Sequence, residues 1–593
     1  MRHAVHHTGL IKGVVEARAY QLEAVDEALA GSMLLVLPTA AGKTAVAWMV
    51  IAETMRQKQG FVLFIAPTNP LVDQHIKSLE SVIKGVKDFN LISMTGSTPP
   101  EKRIKLWESA RIIVATPQVV RNDVLSGNLS LEKCSLLILD EAHHSTGKHA
   151  MTQAAELYNL ECLKPLILGM TASPGSRTEL VGEICQRLQI QRIHIRASKE
   201  PMLEKYLAGL EIQEIIVNVP DKIRELVNPL ELWINGIVDR ERRNGRYVRP
   251  GNPSFGGLNE AMSRAQHAIS IGDKSAYSSV SQIATAMTLN HLINNLLTQG
   301  ITAAREFLEN SADVRNNISK SSQNFHKDLR IVELKNNLDG MEEIHTKVGT
   351  VRRLIRQRLR RDPESKIIVF ASFRNTVESL DMALNNLKDV KSIQVIGQSD
   401  RAGKKGLKPK QQIEVLNKFR KGEYNVLVAT SVAEEGLDIP SADLVIFYEP
   451  VGSEIRTIQR RGRTGRHREG EVMVLVAEGT RDENAKISAE KKEQNMQRAV
   501  QRIRRKLPRK VHEDLSNLSN FSVQNEIETI TASNFIKNIR NENRPIIAEI
   551  DNNEPISNNN NNHDNNKTKP LDPSNFRPRG QTGLDEFRYK RDS

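Results

Sequence analysis

The chain has 593 residues, of which 39% are hydrophobic and 26% are charged. At about 150 residues per domain, this length predicts several domains with cores of their own and excludes a single small module. Lysine and arginine outnumber the acidic residues by 84 to 71, which favours a polyanionic partner, and no run approaches the roughly 18 apolar residues that a bilayer span needs.

Apolar runs in the first third of the chain predict a parallel sheet. The N-terminus, MRHAVHH, lacks the long apolar core of a secretory signal, and we expect His3, His6 and His7 to lie in a frayed end. Beyond it, β-strands are predicted at 33–37, 61–66, 111–115, 135–139 and 165–169. Because continuous apolar strands that alternate with amphipathic helices are typical of a sheet covered on both faces, residues 1–200 are predicted to form an α/β domain.

Residues 201–345 lose the strand runs, and apolar residues there recur three and four positions apart. This period predicts an all-helical domain inserted into the chain. The basic stretch 240–257 contains Tyr247 and Phe255 and fits either a nucleic-acid contact loop or a solvated linker. Its glycine and proline content favours the linker.

The strand pattern returns in residues 346–482, with predicted strands at 366–371, 391–396, 425–429, 443–447 and 471–477. The predicted fold class is therefore α/β, with two parallel-sheet domains and an all-helical insert between them. A basic helical extension is predicted at 483–515. Residues 516–593 are predicted to be a disordered tail because the sequence there becomes rich in asparagine.

The sequence LPTAAGKT at 37–44 follows a predicted strand and opens a helical pattern. Backbone N–H groups of such a loop cradle phosphates, a lysine adds charge beside the β- and γ-phosphates, and a hydroxyl ligates magnesium. Lys43 and Thr44 are the candidates for the last two roles. The rest of the predicted ATP-binding loop is Pro38, Thr39, Ala40, Ala41 and Gly42. Because Leu37 replaces the first glycine of the general pattern, the assignment depends on partner motifs elsewhere in the chain.

One such partner is LILDEAHH at 137–144, an apolar strand that ends in adjacent carboxylates. Asp140 at the strand end is suited to hold magnesium, and Glu141 to orient or deprotonate the attacking water. An acidic strand-to-helix turn without catalytic function is the alternative. The GKT sequence upstream, in the expected order, favours the catalytic interpretation.

The second half of the chain contains the arginine-dense sequence QRRGRTGR at 459–466. Like charges this close repel and cannot be buried unpaired, so they require an anion. Planar guanidinium groups suit the charge that develops on a γ-phosphoryl group, which makes Arg463 and Arg466 candidate arginine fingers. A solvated basic face that binds nucleic acid nonspecifically is the alternative.

Together these motifs resemble the superfamily-two helicases of the DEAH type. The ordered set is YQ (20–21), PTAAGKT, APTNPLVDQH (66–75), TPQVV (116–120), DEAH, TASPG (171–175), VFASFRNT (369–376), ATSVAEEGLDIP (429–440) and QRRGRTGR. More narrowly, the chain resembles the archaeal Hef and Fanconi-anaemia M branch through GQSDRAGKKGLKPKQQ (397–412), VIFYEPVGSEIRTIQRRGRTGR and the helical insert. The resemblance covers about residues 14–485 and implies two RecA-like domains that use ATP and Mg²⁺ at their interface.

The resemblance also implies roles for further residues. Tyr20 and Gln21 would contact adenine, Gly436 and Asp438 would contact the nucleotide, and Gln459 would link the two domains. His143, Thr171 and Ser173 would couple hydrolysis to movement. The residues implied to contact the nucleic-acid backbone are Thr68, Thr116, Ser372 and Thr430. For each of these four hydroxyl residues, a turn or cap role is equally open.

The sequence departs from the family at two places. Ala40 stands where the family usually has glycine, and a Cβ at a position with positive φ costs about 1 kcal/mol or more; we nevertheless expect hydrolysis because GKT is intact. The chain also lacks the GDxxxxERKxxxD motif of an XPF-type nuclease domain, so we expect it to move DNA without cutting it. Its last residues resemble a sliding-clamp-binding peptide, with Gln581, Leu584 and Phe587 as anchors at 581–588.

The predicted function is therefore an ATP-dependent DNA helicase or translocase that remodels forks and junctions. The alternatives are an ATPase of the RIG-I and Dicer type that double-stranded RNA stimulates, and a non-catalytic adaptor that binds DNA and the clamp. The spacing of Cys134, Cys162 and Cys185 indicates neither disulfides nor a zinc site. We expect the protein in the reducing cytoplasm of an archaeal or prokaryotic-type cell, associated with the nucleoid.

Overall fold

The computed structural model describes residues 3–38, 41–86, 90–197, 200–207, 212–312, 320–397, 407, 409–430, 442–450, 471–508, 514–524 and 528–543. The strands within these residues are β1 (Ala4–His6), β2 (Met33–Val36), β3 (Phe61–Ile65), β4 (Leu91–Met94), β5 (Ile112–Ala115), β6 (Cys134–Asp140), β7 (Ile167–Thr171), β8 (Arg192–Ile195), β9 (Ile212–Val217), β10 (Ile367–Ala371), β11 (Ser392–Val395), β12 (Val426–Thr430), β13 (Leu444–Phe447), β14 (Glu471–Ala477), β15 (Ser522–Gln524) and β16 (Thr529–Thr531).

The helices are numbered in the same way along the described residues. They are α1 (Ala19–Leu29), α2 (Lys43–Gln57), α3 (Asn69–Val82), α4 (Pro100–Ser109), α5 (Pro117–Leu125), α6 (Ala150–Glu161), α7 (Thr178–Arg187), α8 (Pro201–Leu207), α9 (Asp221–Arg243), α10 (Phe255–Ser270), α11 (Ala276–Thr298), α12 (Ile301–Ala312), α13 (Lys320–Lys327), α14 (Leu329–Leu338), α15 (Thr346–Arg361), α16 (Arg374–Asn385), α17 (Pro409–Lys421), α18 (Arg481–Lys506) and α19 (Ala532–Glu542). No described helix is long and apolar enough to cross a membrane.

The first sheet has the order β4-β5-β3-β6-β7-β2-β8, and all its neighbouring strands are parallel. Every residue of β2, β3, β5 and β7 is buried, because helices cover both faces of the sheet. In a parallel sheet the carboxyl ends of the strands meet at one edge, and loops at that edge carry ligand sites. That edge is where the motifs of the first domain lie.

The second sheet has the order β11-β12-β10-β13-β14-β9 and is also entirely parallel. The prediction of two parallel-sheet α/β domains is confirmed. The prediction that residues 201–345 are all helical is wrong at Ile212–Val217, which pair with β14 as an edge strand. Only one face of such a strand is covered, and Ile216 is 68% exposed. Its short apolar run does not stand out from the helical pattern, so the pairing with β14 decides its conformation.

The inserted helices form a separate core. Helix α11 packs between α9 and α10, and its buried residues recur at helical spacing, as at Ile283, Ala286 and Leu289. In the segment 240–257, Tyr247 is 1% exposed and its hydroxyl accepts the Ser254 backbone N–H. Tyr247 is therefore not available for stacking on a base, whereas residues 248–252 of this connection between α9 and α10 are exposed, as expected of a solvated linker.

Helix α18 connects the second domain to the first. At its start, the carboxylate of Asp482 forms an ion pair with the buried ammonium of Lys347 at an N–O distance of 2.7 Å. Near its other end, Ala499 and Val500 are buried in the core of the first domain, where the helix packs against α7. The predicted basic extension is therefore an element that spans both domains.

The prediction of a disordered tail from residue 516 is wrong for residues 516–524 and 528–543. Strands β15 and β16 form an antiparallel sheet with β1, and α19 packs on α1. Phe521 and Phe535 are 2% and 4% exposed in the core of the first domain, which is why this part of the chain is ordered. The expected fraying of His3, His6 and His7 is also wrong. His6 pairs with Ser522 in the sheet, and the rings of His3 and His7 lie 5.4 and 4.4 Å from those of Phe535 and Phe521.

Candidate functional site

The predicted phosphate loop begins where β2 ends and closes on α2. Gly42 caps α2 with φ 81° and ψ 40°, in the left-handed region that favours glycine. A Cβ at this position would also lie 2.1 Å from Nε2 of Gln21. The first N–H groups of a helix have no acceptor within the helix and carry its positive dipole end, so this geometry fits a phosphate.

Lys43 and Thr44 are the first two residues of α2. The Lys43 ammonium donates to the Leu37 carbonyl at 3.4 Å, which places the positive charge across the mouth of the loop. Thr44 is half-buried beside it. The structure thus brings the two predicted side chains together at the N-terminus of one helix.

Tyr20 and Gln21 of α1 form hydrogen bonds with the backbone of the phosphate loop. The Tyr20 hydroxyl and the Gln21 amide both donate to the Ala41 carbonyl, at 2.8 and 2.9 Å. Tyr20 has no exposed surface, so the prediction that it stacks on adenine is wrong for this structure. Burial raises the pKa of Tyr20 and outweighs the opposing effect of Arg18. Both side chains therefore hold the loop in place.

Asp140 ends β6 at the same edge. It accepts a hydrogen bond from His75 Nε2 at 2.8 Å and one from the Glu141 backbone N–H at 3.1 Å. Burial by itself would raise its pKa, but the hydrogen bond from His75 and the charges of His75 and Lys43 lower the pKa below its ordinary value. The carboxylate is therefore ionised at neutral pH and has an oxygen suited to a hydrated divalent cation.

No group of three or more His, Cys, Asp and Glu side chains within the described ranges could enclose a metal by itself. That matches the chemistry of magnesium in nucleotide sites, where one or two protein ligands suffice because phosphates and waters supply the rest. Asp140 and the Thr44 hydroxyl are the side chains that fit this donor set. A dedicated metal cage is not needed at such a site.

His75 is the residue that the sequence interpretation missed. It lies on the buried face of α3 with Val72, Leu79 and Val82, and its ring lies 4.3 Å from that of Phe64. The available signal was a histidine at helical spacing within an apolar stripe, which is more often a core residue than part of a site. Only the meeting of α3 with the end of β6 reveals its contact with Asp140.

Glu141 has a left-handed backbone, with φ 51° and ψ 49°. For a residue with a Cβ this conformation costs about 1 kcal/mol, a cost that recurs at functional sites. Its side chain is 35% exposed, and its carboxylate lies 3.2 Å from Nδ1 of His143. The backbone thus turns sharply so that Asp140 stays buried while Glu141 reaches the open side of the loop.

The same nitrogen of His143 lies 3.1 Å from the Thr171 hydroxyl, at the end of β7. The backbone N–H of Ser173 donates to that hydroxyl at 3.1 Å. A ring nitrogen shares one proton at a time, so Glu141 and Thr171 compete for Nδ1 of His143. The predicted coupling residues therefore meet, and Nδ1 of His143 lies within reach of both Glu141 and Thr171.

The four hydroxyl residues predicted to contact nucleic acid fall into two pairs. Thr68 and Thr116 follow the paired strands β3 and β5, and Ser372 and Thr430 lie where the paired strands β10 and β12 end. Within the described part of the chain, the hydroxyls of Thr68 and Thr430 are buried without a hydrogen-bond partner. Each pair lies at the carboxyl edge of its sheet.

Several predicted residues fall outside the described ranges. They are Thr39, Ala40, Gly436, Asp438, Gln459, Arg463 and Arg466, together with the clamp-peptide anchors Gln581, Leu584 and Phe587. Their roles stay predictions. The geometry above therefore concerns the half of the ATP site that the first domain supplies.

A phosphate loop and adjacent carboxylates at one edge of a parallel sheet, followed by a second parallel-sheet domain, define a P-loop protein with the architecture of a helicase. Two family models match accordingly. The DEAD/DEAH box helicase model matches residues 18–181, and the helicase conserved C-terminal domain model matches residues 346–468. The second match includes the arginine-dense segment 459–466.

Similarity to known proteins identifies a branch within this class of helicases. The crystal structure of the Pyrococcus furiosus Hef helicase domain superposes with a TM-score of 0.61 at 35% identity, covering 79% of this chain and 98% of that one. A Methanocaldococcus jannaschii protein named "Putative ATP-dependent RNA helicase" is 35% identical over 84% of this chain, and the Fanconi anemia group M protein homolog of Mus musculus is 28% identical over 82%. The chain belongs to the superfamily-two helicases of the Hef and Fanconi-anaemia M branch. It spans 62% and 26% of the lengths of those two relatives.

Proposed function

We propose that this protein hydrolyses ATP with Mg²⁺ in order to move along DNA, and that it remodels forks and junctions. The observation that carries the ATPase proposal is the cluster of Gly42, Lys43 and the ionised Asp140 at one sheet edge. The match of the helicase C-terminal model through residue 468 supports an arginine contribution from the second domain.

The chain's own residues divide the work of hydrolysis. Bound ATP would supply the γ-phosphoryl group that water attacks, and bound Mg²⁺ would neutralise part of the charge on the phosphate oxygens. The N–H groups at the start of α2 and the Lys43 ammonium hold the phosphates. Glu141, on the open side of the loop, orients the water and accepts its proton. Arg463 and Arg466 are proposed to stabilise the charge that develops in the transition state.

The link from hydrolysis to movement is proposed to pass through His143. When Glu141 takes up a proton, its contact with Nδ1 of His143 weakens, and the hydroxyl of Thr171 becomes the preferred partner. Strand β7 is two strands from β3 in the sheet order, and Thr68 follows β3. A change at the end of β7 therefore has a short path to the hydroxyl pair that is proposed to contact the backbone of DNA.

One observation favours DNA over RNA as the track, namely the relationship to the Hef and Fanconi-anaemia M branch, whose resemblance implies branched DNA. The net charge of +13 suits either polymer. The Methanocaldococcus relative is named as an RNA helicase, which makes double-stranded RNA the second candidate substrate.

The test compares ATPase rates with single-stranded DNA, forked DNA, a four-way junction and double-stranded RNA. We expect forked and four-way DNA to stimulate most. Lys43→Ala should lower kcat by at least about a hundredfold, the size expected when a phosphate-stabilising charge is removed. Lys58→Ala is the matched control, because Lys58 follows the opposite end of the same helix. Stimulation by RNA alone contradicts the DNA proposal, and activity that survives Lys43→Ala contradicts the site.

The third candidate function, a non-catalytic adaptor, is tested at Ala40. We expect the natural chain to hydrolyse ATP and Ala40→Gly to change the rate only modestly. Undetectable hydrolysis that the glycine restores would instead identify a degenerate site.

Clamp binding is a separate proposal, which depends on Gln581, Leu584 and Phe587. A chain that ends at residue 577 should lose binding to the sliding clamp while its ATPase activity stays unchanged. Clamp binding that survives this deletion contradicts the proposal.

A further inference from the structure

Helix α15 has a row of arginines that none of the motifs above uses. Arg352, Arg353, Arg356 and Arg360 are here called the arginine stripe. The last three lie opposite the buried face formed by Val351, Leu354, Ile355 and Leu359, and the half-buried Arg352 lies at the margin of that face. Arg353, Arg356 and Arg360 are exposed, and the stripe lines an open groove with Gly349 and Gln357. The stripe is therefore a continuous positive surface on the second domain.

Two other arginines of α15, unlike the stripe, form ion pairs with a carboxylate. Arg358 and Arg361 lie 3.3 and 3.7 Å from the carboxylate of Glu471. In contrast, no carboxylate among the described residues forms an ion pair with any member of the arginine stripe. Positive charges three and four residues apart on one helix repel and destabilise it. An external anion would relieve that repulsion.

The contacts at the two ends of α15 place the stripe on the flank of the second domain. At the start of the helix, the Thr346 hydroxyl donates to the Asn218 carbonyl, just beyond the carboxyl end of β9. At its other end, Arg358 and Arg361 meet Glu471 at the amino end of β14. The helix thus runs from the carboxyl edge of the sheet to the opposite edge. The stripe extends away from Ser372 and Thr430, which lie at the carboxyl edge.

The length of the stripe fits a polymer better than a small anion. Arg352 and Arg360 are eight positions apart on the helix, a rise of about 12 Å. Over that length one strand of duplex DNA carries about three to four phosphate charges, at one charge per roughly 3.4 Å of axis, against the four arginines of the stripe. Guanidinium groups suit phosphate oxygens and read no base sequence. A phosphodiester backbone therefore matches both the charge and the spacing.

We propose that the arginine stripe is a second nucleic-acid contact, which binds the backbone of one duplex arm of the substrate along the flank of the second domain. The inference rests on the proposed function, because it assumes that nucleic acid is the track. The stripe adds affinity for duplex without sequence preference. It takes no part in hydrolysis, since none of its residues belongs to the phosphate loop or to the acidic strand end.

The test uses the full chain with Arg353→Glu and Arg356→Glu together, and measures binding to forked duplex DNA across a salt series. We expect affinity near 0.1 M salt to fall roughly tenfold to a hundredfold, and the slope of log affinity against log salt to fall by about one to two. ATPase activity without DNA should stay unchanged. The charge-matched control is Lys84→Glu with Lys133→Glu, two exposed lysines at the amino edge of the first sheet.

The outcomes separate the two proposals. Failure of nucleic acid to stimulate the natural chain contradicts the proposed function itself. Stimulation of the natural chain, with binding by the arginine variant equal to that of the lysine control, overturns the stripe alone. If the glutamate variant does not fold, Arg353→Gln with Arg356→Gln provides the same comparison, and Arg353→Lys with Arg356→Lys should keep most of the affinity.

Discussion

Glu53 provides a prediction whose size follows from the structure. Its side chain lies on α2, is fully buried, and accepts hydrogen bonds from His7 at 2.7 Å, Arg56 at 2.8 Å and Asn520 at 2.9 Å. Burial would raise its pKa, but the hydrogen bonds from Arg56, His7, Asn520 and Gln57 lower the pKa from 4.5 to about 2. One carboxylate thus holds together the start of the chain, the phosphate-loop helix and the C-terminal segment.

The tautomer of His7 is consistent with this arrangement. The Gly9 backbone N–H donates to Nδ1 of His7 at 3.1 Å, so Nδ1 carries a lone pair and the proton resides on Nε2, which donates to Glu53. Burial, the largest cause, lowers the pKa of His7 and outweighs the opposing effect of Glu53. His7 is therefore neutral at pH 7, and the carboxylate is the charged partner.

The perturbation is Glu53→Gln, since an amide resembles the protonated carboxyl. A carboxyl whose pKa is about 2 in the folded state and 4.5 in the unfolded state stabilises the fold by roughly 3 kcal/mol at neutral pH. This stabilisation is present above pH 5 and is lost as the pH falls from about 4.5 to about 2. The free energy of unfolding of the natural chain should therefore exceed that of the variant by roughly 3 kcal/mol at pH 7 and by little near pH 2.

The assay is denaturant unfolding of both chains at several pH values, followed by a probe in the first domain. The comparison at each pH cancels the acid sensitivity that the two chains share. Equal stability at pH 7, or a difference that stays constant between pH 5 and pH 3, would refute the reasoning. A difference that disappears as the pH falls supports it.

Three further predictions concern the first domain. Gly42→Ala should weaken nucleotide binding about tenfold or more in an equilibrium titration, because positive φ and the approach of Gln21 both oppose a Cβ; unchanged affinity contradicts the loop geometry. His75→Ala removes a charge-assisted hydrogen bond worth about 1.5–3 kcal/mol from Asp140, so kcat for ATP should fall roughly tenfold to a hundredfold at saturating Mg²⁺; full activity would show that the contact is only structural. A chain that ends at residue 508 should melt at least about 5 °C below one that ends at residue 543, and equal melting temperatures would show that the C-terminal segment does not stabilise the first domain.

The contact between His143, Glu141 and Thr171 shows how the structure adds to the motifs. Their order in the chain indicates that they act together but does not say how. The 3.2 and 3.1 Å distances to one ring nitrogen identify a competition between two partners. That competition is a physical basis for the proposed link between hydrolysis and movement.

The local features of this protein follow from its sequence. The ten short apolar runs that were predicted as strands all form strands, so the main strands of both sheets were predictable. The ordered motifs, among them GKT, DEAH and the arginine-dense segment, were sufficient to predict a superfamily-two helicase, and the segment 397–412 with the helical insert narrowed the prediction to this branch. Among the described residues of the phosphate loop, Gly42 has a backbone geometry that shows why glycine is required there.

Contacts between distant parts of the chain were decided by the tertiary structure. His75 meets Asp140 across 65 positions, and Asn520 meets Glu53 across 467. Edge strands such as β9 and β16 are covered on one face at most, and β15 is only three residues long, so pairing partners determine these strands more than their own residues do. The sequence alone therefore determined which residues are predicted to form the catalytic motifs. The packing decided which side chains support those motifs, because burial and hydrogen bonding depend on what lies opposite.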